Sequence, residues 1–171
     1  MKKKIIFIMN PISGTASKAG IPNLIDSTLD KELFEYEIKL TERAGHASEL
    51  ATEAKNNHAD IVVAVGGDGT VNEVARSLVH SDTALGILPC GSGNGLARHL
   101  LLPMNLKKSI EVINACKIHD LDYGVINGYP FFCTCGMGFD AFVSMKFAES
   151  GKPTLAIVPA MKKPARIGVC L

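Results

Sequence analysis

The sequence predicts a three-layer α/β domain on a mostly parallel sheet, and three observations carry that prediction. Short apolar runs alternate with longer amphipathic stretches, the pattern of successive βα units. Polar or glycine-rich loops follow the first four apolar runs. The unbroken run Ile61–Val65 suits a strand buried on both faces, near the centre of a sheet covered on both sides.

Element by element, strands are expected at Lys4–Met9, Glu35–Leu40, Ile61–Val65, Leu85–Leu88 and Ile118–Asp122. Helices are expected at about Gly20–Leu29, Ala47–Asn57, Val71–His80, Gly95–Leu101 and Leu106–Cys116, with Ala47, Leu50, Ala51 and Ala54 marking one apolar face. After Asp122 the pattern changes: residues 125–132 read as two short strands joined by the Asn127-Gly128 turn. This places a boundary near residue 123, with an α/β domain over 1–123 and the first strands of a second, β-rich unit over 124–171. From about residue 152 the chain is basic, proline-containing and without clear period, which predicts an atypical or disordered tail.

Composition narrows the function. The chain has 171 residues, 47% hydrophobic and 20% charged, which excludes disorder for most of it. Eighteen Lys and Arg against 17 Asp and Glu leave a net charge of +1. No general field therefore attracts nucleic acid or an anionic membrane, and such a partner must be bound locally. Five cysteines, with no C-x-x-C pair, indicate neither a disulfide framework nor a zinc site. The opening Lys residues precede an apolar run of only Ile5–Met9, closed by Asn10-Pro11, which is a strand rather than a signal peptide. No transmembrane segment follows, so a cytoplasmic location is expected.

The chemistry sits in the loops. Gly66-Gly67-Asp68-Gly69-Thr70 falls between the buried strand and the helix that Val71-Asn72-Glu73 opens. Glycines there let main-chain N–H groups point outward, and the helix N-terminus adds partial positive charge, so together they make an anion site suited to phosphate. Asp68 is the informative exception, since a carboxylate about 4 Å from a phosphate charge would be repelled by roughly 4 kcal/mol at an effective dielectric near 20. It must coordinate Mg²⁺, take a proton from an attacking hydroxyl, face away from the phosphate, or cap the following helix. A second cluster, residues 89–95, lies between the next strand and helix, where Ser92 and Asn94 can serve phosphate or a helix cap. It lacks the dinucleotide fingerprint, because Leu96 stands at the sixth position. Asn10-Pro11-Ile12-Ser13-Gly14 follows the first strand, and Thr41 with Gly45-His46 follows the second. No Walker A order occurs. Arg98 suits a solvated face better than a phosphate, and His46 suits a phosphate or a helix cap equally.

The set Asn10-Pro-x-Ser-Gly14, Thr41-x-x-x-Gly-His-Ala47, Gly66-Gly-Asp-Gly-Thr-x-Asn72 and Pro89-x-Gly-Ser-Gly-Asn94 with Leu96-Ala97-Arg98 resembles the catalytic domain of the diacylglycerol and sphingosine kinase family, bacterial lipid kinases included. Leu121-Asp122 and residues 136–141 match where that family passes into its second domain. The Gly-Gly-Asp-Gly-Thr motif is shared with NAD kinases and resembles a phosphofructokinase variant, so the resemblance implies that fold group. It also implies ATP- and Mg²⁺-dependent transfer of the γ-phosphoryl group to a lipid hydroxyl, of diacylglycerol or sphingoid-base type, at a membrane surface. Carried over by position, Asn10, Pro11, Ile12, Ser13, Gly14, Thr41, Gly66, Gly67, Asp68, Gly69, Thr70, Val71, Asn72 and Ser92 would hold the nucleotide. Asp68 would be catalytic, and Asp68 with Asp122 would serve the metal. Gly95 stands where many bacterial relatives carry Asp, which leans toward the sphingoid-kinase variant. Members of the family are normally much longer, which predicts that most of the second domain is absent and that strand edges left bare would pair in a homodimer. Two further readings stay open: a non-catalytic nucleotide-binding fragment, and an NAD-kinase-like enzyme acting on a soluble dinucleotide.

Overall fold

A computed structural model describes residues 2–11, 18–132 and 166–170. Eight strands and five helices occur among them: β1 Lys3–Met9, α1 Ile21–Thr28, β2 Phe34–Leu40, α2 His46–Asn56, β3 Ile61–Gly66, α3 Asp68–Leu78, β4 Ala84–Pro89, α4 Gly95–His99, α5 Leu106–Ala115, β5 Ile118–Asp122, β6 Gly124–Ile126, β7 Tyr129–Phe131 and β8 Arg166–Cys170. Six strands form one sheet in the order β2-β1-β3-β4-β8-β5. β1 to β4 and β8 run parallel, and β5 alone is antiparallel to its neighbour.

The sheet is covered on both faces because β3 and β4 are buried at every position and β1 from Ile5 onward. Ile6, Ile8, Val62, Ala64, Leu85 and Ile87 point to one side, against Ala47, Ala51 and Ala54 of α2 and Val71, Val74, Ala75 and Leu78 of α3. Ile5, Phe7, Ile61, Val63, Val65 and Leu88 point to the other, against Ile21 and Ile25 of α1 and Ile110 and Ile113 of α5. This is the expected three-layer α/β architecture. Local signals agree with the helix starts: Pro22 lies in the first turn of α1, where its missing N–H costs nothing. The Asn105 side chain accepts from the Lys108 N–H at 3.1 Å and caps α5.

The Asn127-Gly128 turn has both residues at positive φ, 49° and 81°, and joins β6 to β7 as a tight hairpin. That hairpin rests on the end of α3, where Arg76 Nε donates to the Pro130 carbonyl at 2.7 Å. The Tyr123 hydroxyl meets His80 Nε2 at 3.1 Å.

Most element ends fall within a residue of the sequence expectation, and larger differences occur at both ends of α3, at the end of α4 and in the tail. α3 begins at Asp68, not Val71, because extended Gly67 completes the turn by itself and an acidic residue in the first turn suits the helix dipole. α4 ends at His99, two residues early. The Leu102 N–H bonds the Ala97 carbonyl and the Leu101 N–H bonds the Arg98 carbonyl, a Schellman closure with Leu101 in the left-handed position at φ 58°. Residues 166–170, expected in an atypical tail, form β8 inside the main sheet. Ile167 and Val169 are buried on one face and Cys170 on the other, so this short alternation fills the place between β4 and β5.

Candidate functional site

β1 has β2 on one side and β3 on the other, so the winding of the sheet reverses between β1 and β3. Open α/β sheets bind ligands beyond the carboxyl ends of the strands at such a switch point. A cleft of about 330 Å³ lies there. Asn10 after β1, Thr41 and Arg43 after β2, and Gly67, Gly69 and Thr70 at the start of α3 line it. The N-cap of α3 is Gly67, which has no side chain to cap the helix. Its first-turn N–H groups have no intrahelical acceptor and mark the region as electropositive.

The two glycine clusters form one unit. Gly67 and Gly91 touch through their backbones, and a Cβ on Gly91 would fall 2.5 Å from the Gly67 Cα. Asp68 Oδ1 accepts from the Gly95 N–H at 2.6 Å, while Oδ2 lies against Gly93. The carboxylate thus caps the neighbouring helix α4 and not its own, and it is absent from the wall of the cleft. Buried Asn94 closes the second loop on itself: its Oδ1 accepts from the Gly91 N–H at 2.8 Å and its Nδ2 donates to the Gly91 carbonyl at 2.7 Å. Arg98 is exposed and donates from Nε to the Gly93 carbonyl at 2.9 Å. Ser92 is exposed at the tip of that loop.

Other residues singled out in the sequence are distributed unevenly. Pro11 is exposed at the start of its loop; Ile12, Ser13 and Gly14 lie outside the described residues, as do residues 136–141. Gly66 is buried at the end of β3, with the Thr70 side chain packed over it. Val71 belongs to the core and its N–H bonds the Gly67 carbonyl, so its side chain faces the sheet and not the cleft. Asn72 is half-buried on α3 and does not line the cleft. His46 Nδ1 accepts from the Glu42 N–H at 3.1 Å, which fastens the β2–α2 loop.

Asp122 is not brought to Asp68. It pairs with Arg166 in the antiparallel β5–β8 ladder, at the amino edge of the parallel strands. Asp68 follows the carboxyl edge, and about 20 Å of strand separates the two. Among the described residues no three His, Cys, Asp or Glu side chains gather as a metal centre. Mg²⁺ in nucleotide sites needs only one or two carboxylates, completed by phosphate oxygens and water. One carboxylate beside glycine-lined N–H groups fits that requirement.

Several residues in or beside the cleft wall carry no signal in the sequence. Lys18 is 7% exposed, and its Nζ donates to the Asn10 carbonyl at 2.5 Å. Burial pushes its ammonium below the ordinary lysine range, with Cys90 offsetting part of the effect. The same burial pushes the Cys90 thiol up. A lone lysine after a glycine-containing loop carries no periodic signal, so nothing in the sequence marked it. Glu73 accepts from the Gly45 N–H at 3.2 Å and ties α3 to the second loop. Arg43 at the cleft is paired with Glu49 at 2.7 Å, which holds the guanidinium above its usual range.

A mostly parallel sheet whose switch point is walled by a helix N-terminus and interlocked glycine loops defines an α/β protein with a candidate ligand site at its carboxyl edge. The family model for the diacylglycerol kinase catalytic domain matches residues 4–126, and the chain belongs to that family. It is 34% identical over 134 residues to a diacylglycerol kinase of Staphylococcus saprophyticus, covering 77% of this chain and 44% of that one. It is 34% identical over 141 residues to a diacylglycerol kinase of Bacillus subtilis, covering 80% of this chain and 46% of the relative. A crystal structure of a diacylglycerol kinase from Bacillus anthracis superposes with a TM-score of 0.64 at 26% identity, over 75% of this chain and 48% of that one. The chain thus spans less than half the length of these relatives. No helix among the described residues is long and apolar enough to cross a membrane.

Proposed function

We propose that this chain is the nucleotide-binding part of a lipid kinase, transferring the γ-phosphoryl group of ATP to a lipid hydroxyl at a membrane surface. The observation that carries the reading is the interlock at the switch point: Asp68 reaches from the N-terminus of α3 to the Gly95 N–H of α4, beside a cleft walled by Asn10, Thr41, Gly67 and Thr70. In this reading Asn10, Thr41, Gly67, Gly69 and Thr70 receive the nucleotide, joined by Ser92 and by residues 11–14. The α3 N-terminus orients the phosphates, and glycine at 67 and 91 lets backbone approach them closely. Asp68 is the catalytic carboxylate, which would hold the metal or take the proton of the attacking hydroxyl. Mg²⁺ bound with ATP would supply charge neutralisation at the transferred group. The acceptor is a diacylglycerol or a sphingoid base.

Residues 1–123 form the nucleotide-binding unit in this account, with β8 added to its sheet and the β6–β7 hairpin opening the second unit. Homodimerisation would pair β2 or β5, the two edge strands of the sheet; light scattering checks it.

The test has two separate arms. MgADP titration reads the nucleotide site. Transfer of labelled phosphate from ATP to diacylglycerol or sphingosine, with and without Asp68→Asn, reads the reaction. Nucleotide binding without transfer to either lipid would leave a non-catalytic nucleotide-binding domain, and transfer to NAD would replace the lipid reading with an NAD-kinase-like one.

A further inference from the structure

One feature of the carboxyl edge is unused by the nucleotide site. Leu101 occupies the left-handed position that closes α4, at φ 58°, where glycine is the usual residue. It is also 89% exposed, the most exposed of the large hydrophobic side chains among the described residues. Two local preferences are broken at one position, since a branched apolar side chain is strained in that conformation and gains nothing from water. Its neighbours buried the adjacent residue instead: Leu102 belongs to the core.

The surroundings specify what would cover it. Residues 98–110 contain no acid, while Arg98, Lys107 and Lys108 are exposed cations. Lys107 and Lys108 stand in the first turn of α5, the end at which the helix dipole disfavours positive charge, and no acidic residue balances them there. Met104, also exposed, has its sulfur 4.0 Å from Asn94 Nδ2, so the apolar tip is continuous with the loop that Asn94 closes. An apolar tip flanked by cations matches the interface of a bilayer with anionic headgroups, where the side chain leaves water and the lysines meet phosphate.

We infer that residues 98–108 are a membrane-docking element, with Leu101 inserted among the acyl chains of an anionic phospholipid surface and Arg98, Lys107 and Lys108 on its headgroups. The element would hold the carboxyl edge of the sheet, with the Gly91–Gly95 loop, against the bilayer. Its purpose rests on the lipid-kinase reading, but its binding is measured without it.

The experiment is flotation of the 171-residue protein with vesicles of phosphatidylcholine alone or with about one third phosphatidylglycerol. Binding to the anionic vesicles is expected, and Leu101→Gly should weaken it about tenfold or more while leaving the melting temperature unchanged or higher, because glycine suits φ 58°. Lys107→Glu with Lys108→Glu should weaken it at least tenfold. The chain has no tryptophan, so Leu101→Trp supplies a single fluorophore whose emission should shift to the blue with anionic vesicles. Equal binding to neutral and anionic vesicles, wild-type affinity in Leu101→Gly, or no spectral shift would overturn the proposal. MgADP titration of the same samples separates the two ideas: lost vesicle binding with intact nucleotide binding refutes the docking element alone, and the reverse refutes the nucleotide reading alone.

Discussion

At the scale of single residues, the site depends on how closely two loops approach. Gly91→Ala would place a Cβ 2.5 Å from the Gly67 Cα, a backbone contact that only a shift of the loops relieves. Urea unfolding should show a loss of about 2 kcal/mol, and MgADP affinity should fall with it, because both loops must move. Asp68 separates into two roles. Asparagine can still accept from the Gly95 N–H, so Asp68→Asn should unfold within about 0.5 kcal/mol of wild type while phosphoryl transfer falls by about 100-fold or more. Asp68→Ala removes the acceptor as well and should cost about 1 kcal/mol of stability. The sequence marked Asp68 because a carboxylate among phosphate-binding glycines needs a reason. It could not say that the reason includes another helix, since the Gly95 N–H is 27 positions away. Asn94 was likewise legible as a polar residue of the loop, while its return bonds to Gly91 required the left-handed turn at φ 52°.

At the scale of elements, strands β1, β3 and β4 were legible because their runs are short, apolar and bounded by turn residues, and β2 because apolar and charged residues alternate along it. The helix ends were less so. α3 starts early because Gly67 needs no help to turn the chain, and α4 stops early through Leu101, a residue that gives no warning of a left-handed position. β8 was missed because five residues within a basic, proline-containing stretch carry too little alternation to stand out, and the strands on either side select them. Cys170 tests that placement. Burial, aided by Cys116, raises its thiol to about 11, from an ordinary value of 9.0. The folded state therefore keeps a proton that the unfolded chain loses above about pH 9. The contribution is complete below that pH and declines as pH rises toward 11. Unfolding midpoints at pH 8 and pH 10.5 should differ in wild type, and Cys170→Val should flatten the difference. An unchanged alkaline decline in that variant would place Cys170 outside the sheet.

At the scale of the whole molecule, the strand order converts four dispersed sequence motifs into one location. Loops after β1, β2 and β3 meet at a cleft where the winding reverses, and the loop after β4 is joined to it through Asp68. The sequence could order these loops along one edge of a parallel sheet. It could not show that Asp122 lies at the opposite edge, because that follows from β5 running antiparallel to β8. The central claim is that this edge is a nucleotide phosphate site, and amide chemical-shift titration with MgADP tests it most directly. The account predicts saturable shifts at Gly67, Gly69, Thr70 and the Gly91–Gly95 loop, with His80 and Tyr123 at the far edge unmoved. No saturable change at those glycine-loop amides at millimolar MgADP, or shifts centred on the far edge, would contradict it.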